Sequence, residues 1–290
     1  PNGSQNTSWS SVLDISQRLH TFGDNTNYIN NYLVHPYLNI SYTNNIIGDG
    51  QSISYPTPID DTTSVISSSI GGGFGVYVKS DNTLWGWGNT SFGQICDPVL
   101  PFPYKSIFSN QPIKQISSGI FHAVLLNTNG TLWSQGLNSY GQLGLSDQTH
   151  RSSPIQIGTS NGWSSIDSGY YHNASINTNG QLFVWGYNNY GQLGQNNTQS
   201  YYSPVQIGSN INTWNSIACG YYRTMAIRTD GTLWAWGYNN KGQLGSNNTQ
   251  SYSSPVQVGT NTWSSIAVGG TGHTLSIRSD GTLWLSLIHI

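Results

Sequence analysis

Three features of the sequence predict an all-β fold, specifically a β-propeller of four-stranded antiparallel blades with about five blades present. They are a repeat of about fifty residues, period-two alternation of apolar positions within each repeat, and turn-forming residues at fixed places between the alternating runs.

The repeat is carried by LWGWGNTSFGQIC, LWSQGLNSYGQLG, LFVWGYNNYGQLG and LWAWGYNNKGQLG, which begin at Leu84, Leu132, Leu182 and Leu233. A fifth copy opens at Leu283-Trp284, so the spacings are 48, 50, 51 and 50 residues. SSPIQIG, YSPVQIG and SSPVQVG keep the same phase, placing Pro154, Pro204 and Pro255 after each GQLG, with Trp163, Trp214 and Trp263 opening the next strand. Within a unit one parity is bulky, as in Phe74/Val76/Val78, His122/Val124/Leu126, His172/Ala174/Ile176, Arg223/Met225/Ile227 and His273/Leu275/Ile277. The other parity is generally smaller, which suits sheets that pack face to face on their neighbours. Asp81-Asn82, Asn129-Gly130, Asn179-Gly180, Asp230-Gly231 and Asp280-Gly281 supply the hairpin tips, because these residues tolerate positive φ. With no helical periodicity, units of this kind bury both faces by stacking radially; an open solenoid is the alternative arrangement.

The unit G-x-x-H, alternating strand, [DN]-G-x-L-W-x-W-G-x-N-x-x-G-Q-L-G is complete in 169–194 apart from Phe183, and it resembles the regulator of chromosome condensation repeat family. That resemblance implies a seven-bladed propeller of four-stranded blades and covers residues 64–284 best. Kelch units would not supply GQLG, and the chain has no Trp-Asp dipeptide of the WD type. Residues 1–63 read as a degenerate N-terminal repeat with an insertion of about seventeen residues, LHTFG at 19–23 echoing LWGWG and IIGDG at 46–50 echoing QLGQN. Phase is lost after Leu283-Trp284, so 285–290 reads as a non-native or truncated tail and the whole as an incomplete seven-bladed ring. Such a fragment is expected to leave one blade face unpaired and to self-associate.

Composition narrows the function. Only 7% of residues are charged, the net charge is −2 and there is no Glu, so no basic patch exists to neutralise a phosphate backbone and nucleic acid is not an expected partner. Eleven Trp and 18 Tyr supply a core despite the low charge. No apolar run approaches 18 residues and no signal-peptide pattern opens the chain, so a soluble protein without membrane insertion is expected, its natural N-terminus lying upstream of Pro1. Cys96 and Cys219 are too few for a cysteine-rich zinc site; they allow a single disulfide without implying one.

No catalytic residue, cofactor or metal site is expected. His122, His172 and His273 recur once per repeat on the packed parity, which makes them structural, each a neutral imidazole bonded to backbone. Phe74 and Arg223 at the same position cannot complete a metal ring. Asp81, Asp230 and Asp280 belong to turns. Gly71-Gly72-Gly73-Phe74-Gly75 lacks the Lys-Ser/Thr and the helix that a phosphate loop requires, and there is no G-x-S-x-G elbow.

A binding face remains. The loop before the His-bearing strand carries Ile120-Phe121, Tyr170-Tyr171, Tyr221-Tyr222 and Gly270-Thr271, and a propeller places these loops on one face. Ile120, Phe121, Tyr170, Tyr171, Tyr221, Tyr222 and Thr271 are therefore the candidate partner-binding residues, since rigid aromatic side chains bury large areas at low entropic cost. The expected function is a non-catalytic scaffold for protein–protein binding. The alternatives are a structural repeat array of a virion or cell surface, and a secreted enzyme inhibitor or glycan-binding protein. A guanine nucleotide exchange factor, which the resemblance also implies, fits less well because the chain has nine Lys plus Arg and no basic tail. The low charge and Asn/Thr-rich blades suit an extracellular or surface location.

Overall fold

The computed structural model describes strands at 9–13, 19–23, 33–34, 41–42 and 53–58, and then residues 65–72, 74–88, 91–94, 104–105, 112–209, 211–269 and 272–286. All regular structure among them is β. Three four-stranded antiparallel sheets follow one another: blade 2 (Val65–Ile70, Phe74–Lys79, Leu84–Gly88, Tyr104–Lys105), blade 3 (Ile113–Ser118, His122–Asn127, Leu132–Gly136, Arg151–Gln156) and blade 4 (Trp163–Ser168, His172–Asn177, Leu182–Gly186, Tyr201–Gln206). Blade 5 (Trp214–Cys219, Arg223–Arg228, Thr232–Gly237) shares the long strand Tyr252–Val268 with blade 6 (Thr274–Arg278, Leu283–Ser286), so the two form one six-stranded sheet. Before them, Trp9–Leu13, Leu19–Gly23 and Ile53–Pro58 form a three-stranded sheet, blade 1, and Leu33–Val34 pairs with Ser41–Tyr42. The 46–50 echo of QLGQN lies outside the described residues, as does Cys96.

One register runs through the repeats. His122 opposes Gly136, His172 opposes Gly186, Arg223 opposes Gly237 and Phe74 opposes Gly88, while in blade 1 Trp9 opposes Gly23. In blade 6 Thr274 opposes Ser286, so Leu285 and Ser286 continue the third strand. The hairpin tips take the positive φ expected of them, at Asn82, Gly130, Gly180, Gly231 and Gly281.

The hydrophobic core is divided into layers between consecutive blades. Phe74, Val76, Val78 and Leu84 of blade 2 meet Ile113, Ile116, Ala123 and Leu125 of blade 3. Val124, Leu126 and Leu132 of blade 3 then meet Trp163, Ile166 and Trp185 of blade 4. The bulky parity of each blade thus faces its successor and the smaller parity its predecessor. In blade 6 the successor-facing side chains Leu275, Ile277, Leu283 and Leu285 are exposed.

Along the first strands, side chains replace the missing ladder between sheets. Ser67 and Ser69 hydroxyl oxygens accept the N–H groups of Ile116 and Ser118 at 3.1 and 2.8 Å. Ser117 accepts from Ser168 N–H at 2.9 Å and donates to Asp167 at 2.9 Å, while Asp167 accepts the Cys219 N–H at 2.7 Å. Burial raises the Asp167 carboxyl above the ordinary carboxylate range. Cys219 is a free, buried thiol.

Two of the three repeat histidines, His122 and His172, are fully buried ties between blades; His273, expected on the packed parity as well, is exposed because no further blade covers that face among the described residues. His122 Nε2 pairs with Asn173 Oδ1 at 2.8 Å and His172 Nε2 with Thr224 Oγ1 at 2.9 Å. Beside the backbone partner expected, which His172 finds at Arg223, each imidazole reaches the side chain one residue past the matching position of the next blade, which the sheet stacking brings opposite it. Arg223 fulfils the same role with two charge-assisted bonds, donating to the Gly269 and His273 carbonyls at 2.8 Å each. Desolvation lowers His122 to about 4 and His172 to about 3, so both are neutral at pH 7.

Below pH 6.5 the unfolded chain therefore binds protons that these two folded-state histidines refuse. Their stabilisation is complete above that pH and drains away as pH falls toward their folded values. Denaturant titrations should show stability dropping between pH 6.5 and 5 by up to about 1.4 kcal/mol per pH unit for each histidine. The double variant His122→Gln/His172→Gln should flatten that slope; an unchanged slope contradicts the assignment.

Candidate aromatic binding face

The turn joining the first and second strands sets the tip residues of each blade. Gly169 N–H donates to the His172 carbonyl at 2.8 Å, closing a two-residue turn with Tyr170 and Tyr171 at its apex. A Cβ at Gly169 would collide with the His172 ring and the Gly220 carbonyl, so only glycine admits this approach. Gly119 and Gly220 make the same bond at 2.9 Å to His122 and Arg223, presenting Ile120-Phe121 and Tyr221-Tyr222.

A second loop, after the third strand, joins this one because the third strand ends where its antiparallel partner begins. Leu137, Tyr187 and Tyr238 donate their N–H groups to the carbonyls of Phe121, Tyr171 and Tyr222 at 2.8, 2.9 and 2.8 Å. The N-x-x-G-Q-L-G segment then folds around a buried asparagine. Asn188 accepts from Leu193 N–H at 2.8 Å and donates to the carbonyls of Asn197 and Gln199 at 3.1 and 2.8 Å. Gln192 Oε1 accepts the Tyr190 N–H at 3.0 Å, and Gln142 accepts that of Tyr140 at 2.9 Å.

Loops of these two kinds from blades 3 to 5 together assemble eight tyrosines. Tyr170 touches Tyr221 at 3.9 Å between ring centroids and Tyr171 at 4.4 Å, and Tyr221 touches Tyr222 at 4.5 Å. Tyr140 bridges Tyr171 and Tyr187 at 5.0 and 4.9 Å, and Tyr190 bridges Tyr222 and Tyr238 at 4.6 and 4.9 Å. Phe121 packs on Phe92 at 5.3 Å, and Phe92 meets the edge of His150 at 5.7 Å. Ile120 lies over Gly72 and donates its N–H to the Tyr170 carbonyl at 3.2 Å. Six of the seven candidates thus lie on this face, and Thr271 falls outside the described residues. Tyr140, Tyr187, Tyr190 and Tyr238 were missed: they stand at the first and fourth positions after Gln-Gly or Trp-Gly, and antiparallel pairing returns those positions to the turn.

Tyr140 and Tyr190 are the most open rings, at 39% and 38% exposure, and the other six are half-buried. Burial, with the neighbouring phenols, raises Tyr170 and Tyr222 strongly and Tyr171 and Tyr187 in the same direction. The surface is therefore an uncharged array of hydroxyl donors and acceptors on apolar bodies. Among the described residues no three His, Cys or Asp side chains gather as a metal site would require, and no helix is long and apolar enough to cross a membrane.

Tyrosinate absorbance followed from pH 8 to 13 should show a fraction of phenols ionising later than in the unfolded chain, and Tyr170→Phe/Tyr222→Phe should remove part of that late fraction. A titration indistinguishable from the unfolded chain contradicts the packing described.

The model of the regulator of chromosome condensation (RCC1) repeat matches residues 129–176, 179–227 and 230–277, and a second model of that repeat matches 113–142, 163–192 and 214–243. The chain belongs to the RCC1 repeat family. It is 30% identical over 189 residues to the ultraviolet-B receptor UVR8 of Arabidopsis thaliana, an alignment covering 62% of this chain and 43% of that protein. It is 42% identical over 170 residues to the probable E3 ubiquitin-protein ligase HERC4 of Homo sapiens, covering 55% of this chain and 16% of the ligase. The chain thus spans less than half the length of either relative. Yeast RCC1 (Prp20), solved bound to Kap60, superposes with a TM-score of 0.75 at 18% identity, over 96% of this chain and 68% of that one. Human WBSCR16 does so at 0.72 with 21% identity, over 82% and 65%. At these identities the superpositions establish the propeller fold alone.

Proposed function

We propose that the chain is a non-catalytic propeller scaffold that binds a partner protein through the tyrosine face. The observation behind this reading is the convergence of eight tyrosines from two kinds of loop repeated in blades 3 to 5, the first closed by a glycine N–H bond and the second pinned by buried Asn and Gln side chains. Such preorganised rings lose little entropy on binding and are enriched in interface hot spots. Relatives of the same fold support a protein partner in kind: yeast Prp20 binds Gsp1p and histones and has been solved bound to Kap60. The similarity to the ligase lies in its repeat region, so no ligase chemistry is inferred for this chain.

Affinity capture with mass spectrometry tests the reading, using the full chain and a Phe121→Ala/Tyr171→Ala/Tyr222→Ala variant at equal folded fraction. A partner protein should be retained by the first and lost by at least about tenfold with the second, since hot-spot truncations of this type each cost about 1–2 kcal/mol or more. Equal retention by both, or no partner for either, counts against the tyrosine face and returns the molecule to a structural array.

A further inference from the structure

A groove of about 700 Å³ opens between blades 3 and 4, running from Arg151 and residues 144–146 to an aromatic corner at the end of the strands opposite the tyrosines. It is bounded by the Gly158–Trp163 connection, the turn at 177–179, Phe183 and the outer strand of blade 4 at Ser203-Pro204. On its floor Trp163 and Phe183 form an edge-to-face pair, with centroids 5.0 Å apart at 83°. The same corner recurs as Trp214 with Trp234 in blade 5 and as Trp263 with Trp284 in blade 6, each at 6.4 Å and at 81° and 85°.

In those two blades an arginine of the same chain stacks in the corner, and in blade 6 a groove of about 560 Å³ lined by Trp263, Arg278 and Trp284 stays open around it. The Arg228 guanidinium carbon lies 4.7 Å from the Trp214 ring centroid and 4.0 Å from that of Trp234. Arg278 lies 5.6 Å from Trp263 and 3.8 Å from Trp284. In blade 5 Ile211, from the preceding connection, also folds over Gly208 onto the core layer. Blade 4 has neither filler. Asn177 stands where Arg228 and Arg278 stand, and its amide is committed to its own turn: Oδ1 accepts the N–H groups of Asn179 and Gln181 at 3.0 Å each, and Nδ2 donates to Gln181 Oε1 at 2.7 Å. The connection before Trp163 runs Thr159-Ser160-Asn161-Gly162, with no aliphatic side chain to fold inward. Among the described residues no cation stacks on Trp163 or Phe183.

We propose that this groove is a guanidinium site, taking an arginine side chain of a partner protein in the place that Arg228 and Arg278 occupy in the following blades. The complementarity is electrostatic as well as steric, because the negative π faces of Trp163 and Phe183 attract a planar cation that is weakly hydrated. Arg151 itself lines the groove, but its guanidinium and the Lys114 ammonium are held by other groups. Arg151 is ion-paired with Asp147 at 2.6 Å, and Lys114 Nζ donates to the Ser164 carbonyl at 2.8 Å. This inference is independent of the tyrosine face, which lies at the other end of the blades.

The test uses the full chain labelled with 4-fluorophenylalanine and observed by ¹⁹F NMR, with the Phe183 signal assigned through Phe183→Leu. N-acetyl-arginine amide should shift that signal saturably, and N-acetyl-citrulline amide, its uncharged isostere, should bind at least about fivefold more weakly. The triple variant Asn177→Arg/Asn179→Asp/Gln181→Thr writes the Arg-Thr-Asp-Gly-Thr-Leu turn of blade 5 into blade 4. It should fold, since that turn already folds one blade further on, and should weaken the arginine response by at least about tenfold. No shift with arginine, an equal response to citrulline, or a response that survives intact in the folded triple variant would overturn the proposal. The comparison of the two amides on the unaltered chain decides the matter even where the variant misfolds.

Discussion

The main-chain carbonyl of the glutamine in Gly-Gln-Leu-Gly is the point at which each blade is fastened to the next. The Gln192 oxygen accepts the Trp236 indole N–H and the Thr224 hydroxyl, both at 2.8 Å. The Gln142 oxygen accepts Trp185 Nε1 at 3.1 Å and Asn173 Nδ2 at 2.7 Å. Trp185 and Trp236 are fully buried, and an indole donor left unpaired there would cost about 1–3 kcal/mol. The same Gln side chain holds the backbone of the neighbouring tyrosine, so the bond that closes one blade on another also positions the face proposed for binding. Asn173 and Thr224, which complete these carbonyls, are also the partners of His122 and His172. Indole, carbonyl, hydroxyl or amide, and imidazole thus form one buried hydrogen-bonded cluster between blades 3 and 4 and a matching one between blades 4 and 5.

Those clusters explain why so few charges suffice. Each blade meets its neighbour through an apolar layer at mid-strand, a serine and glutamine ladder along the first strands, and the Gln-centred ties beneath the tyrosine loops. Uncharged groups satisfy one another at close range without the desolvation cost that buried ions carry. The buried Arg223 guanidinium and the part-buried Asp167 carboxyl are each held by hydrogen bonds to adjoining blades.

Much of this was legible in the sequence, for identifiable reasons. Turn residues at a fifty-residue spacing and bulky positions of constant parity follow from local backbone geometry and sheet stacking, so strands, hairpin tips and the two packed faces emerged with their residues, while which face meets the following blade came from the structure. The placement of Ile120, Phe121, Tyr170, Tyr171, Tyr221 and Tyr222 together also follows from that geometry. Features that depend on two segments meeting were less accessible. Tyr140, Tyr187, Tyr190 and Tyr238 join the face only because the third strand returns to the turn where the second begins. The imidazole partners Asn173 and Thr224 lie about fifty residues on and depend on the exact stagger of adjacent sheets. The open corner at Trp163 and Phe183 becomes visible only when the interiors of three blades are compared, since Asn177 in place of Arg228 reads in the sequence as an ordinary turn residue.

The most direct test of the account is hydrogen exchange at the tryptophan indoles, followed by NMR on the folded chain. Trp185 and Trp236 Nε1–H, bonded to the Gln142 and Gln192 carbonyls, should exchange only through global or whole-blade unfolding and so be among the slowest protons in the molecule. Trp234 and Trp284, bonded to Thr232 and Thr282 hydroxyls at 2.9 and 3.0 Å on the outer rim, should exchange orders of magnitude faster. Comparable exchange at all four indoles would mean that the glutamine carbonyls do not fasten the blades, and the account of how the tyrosine face is held would fail with them.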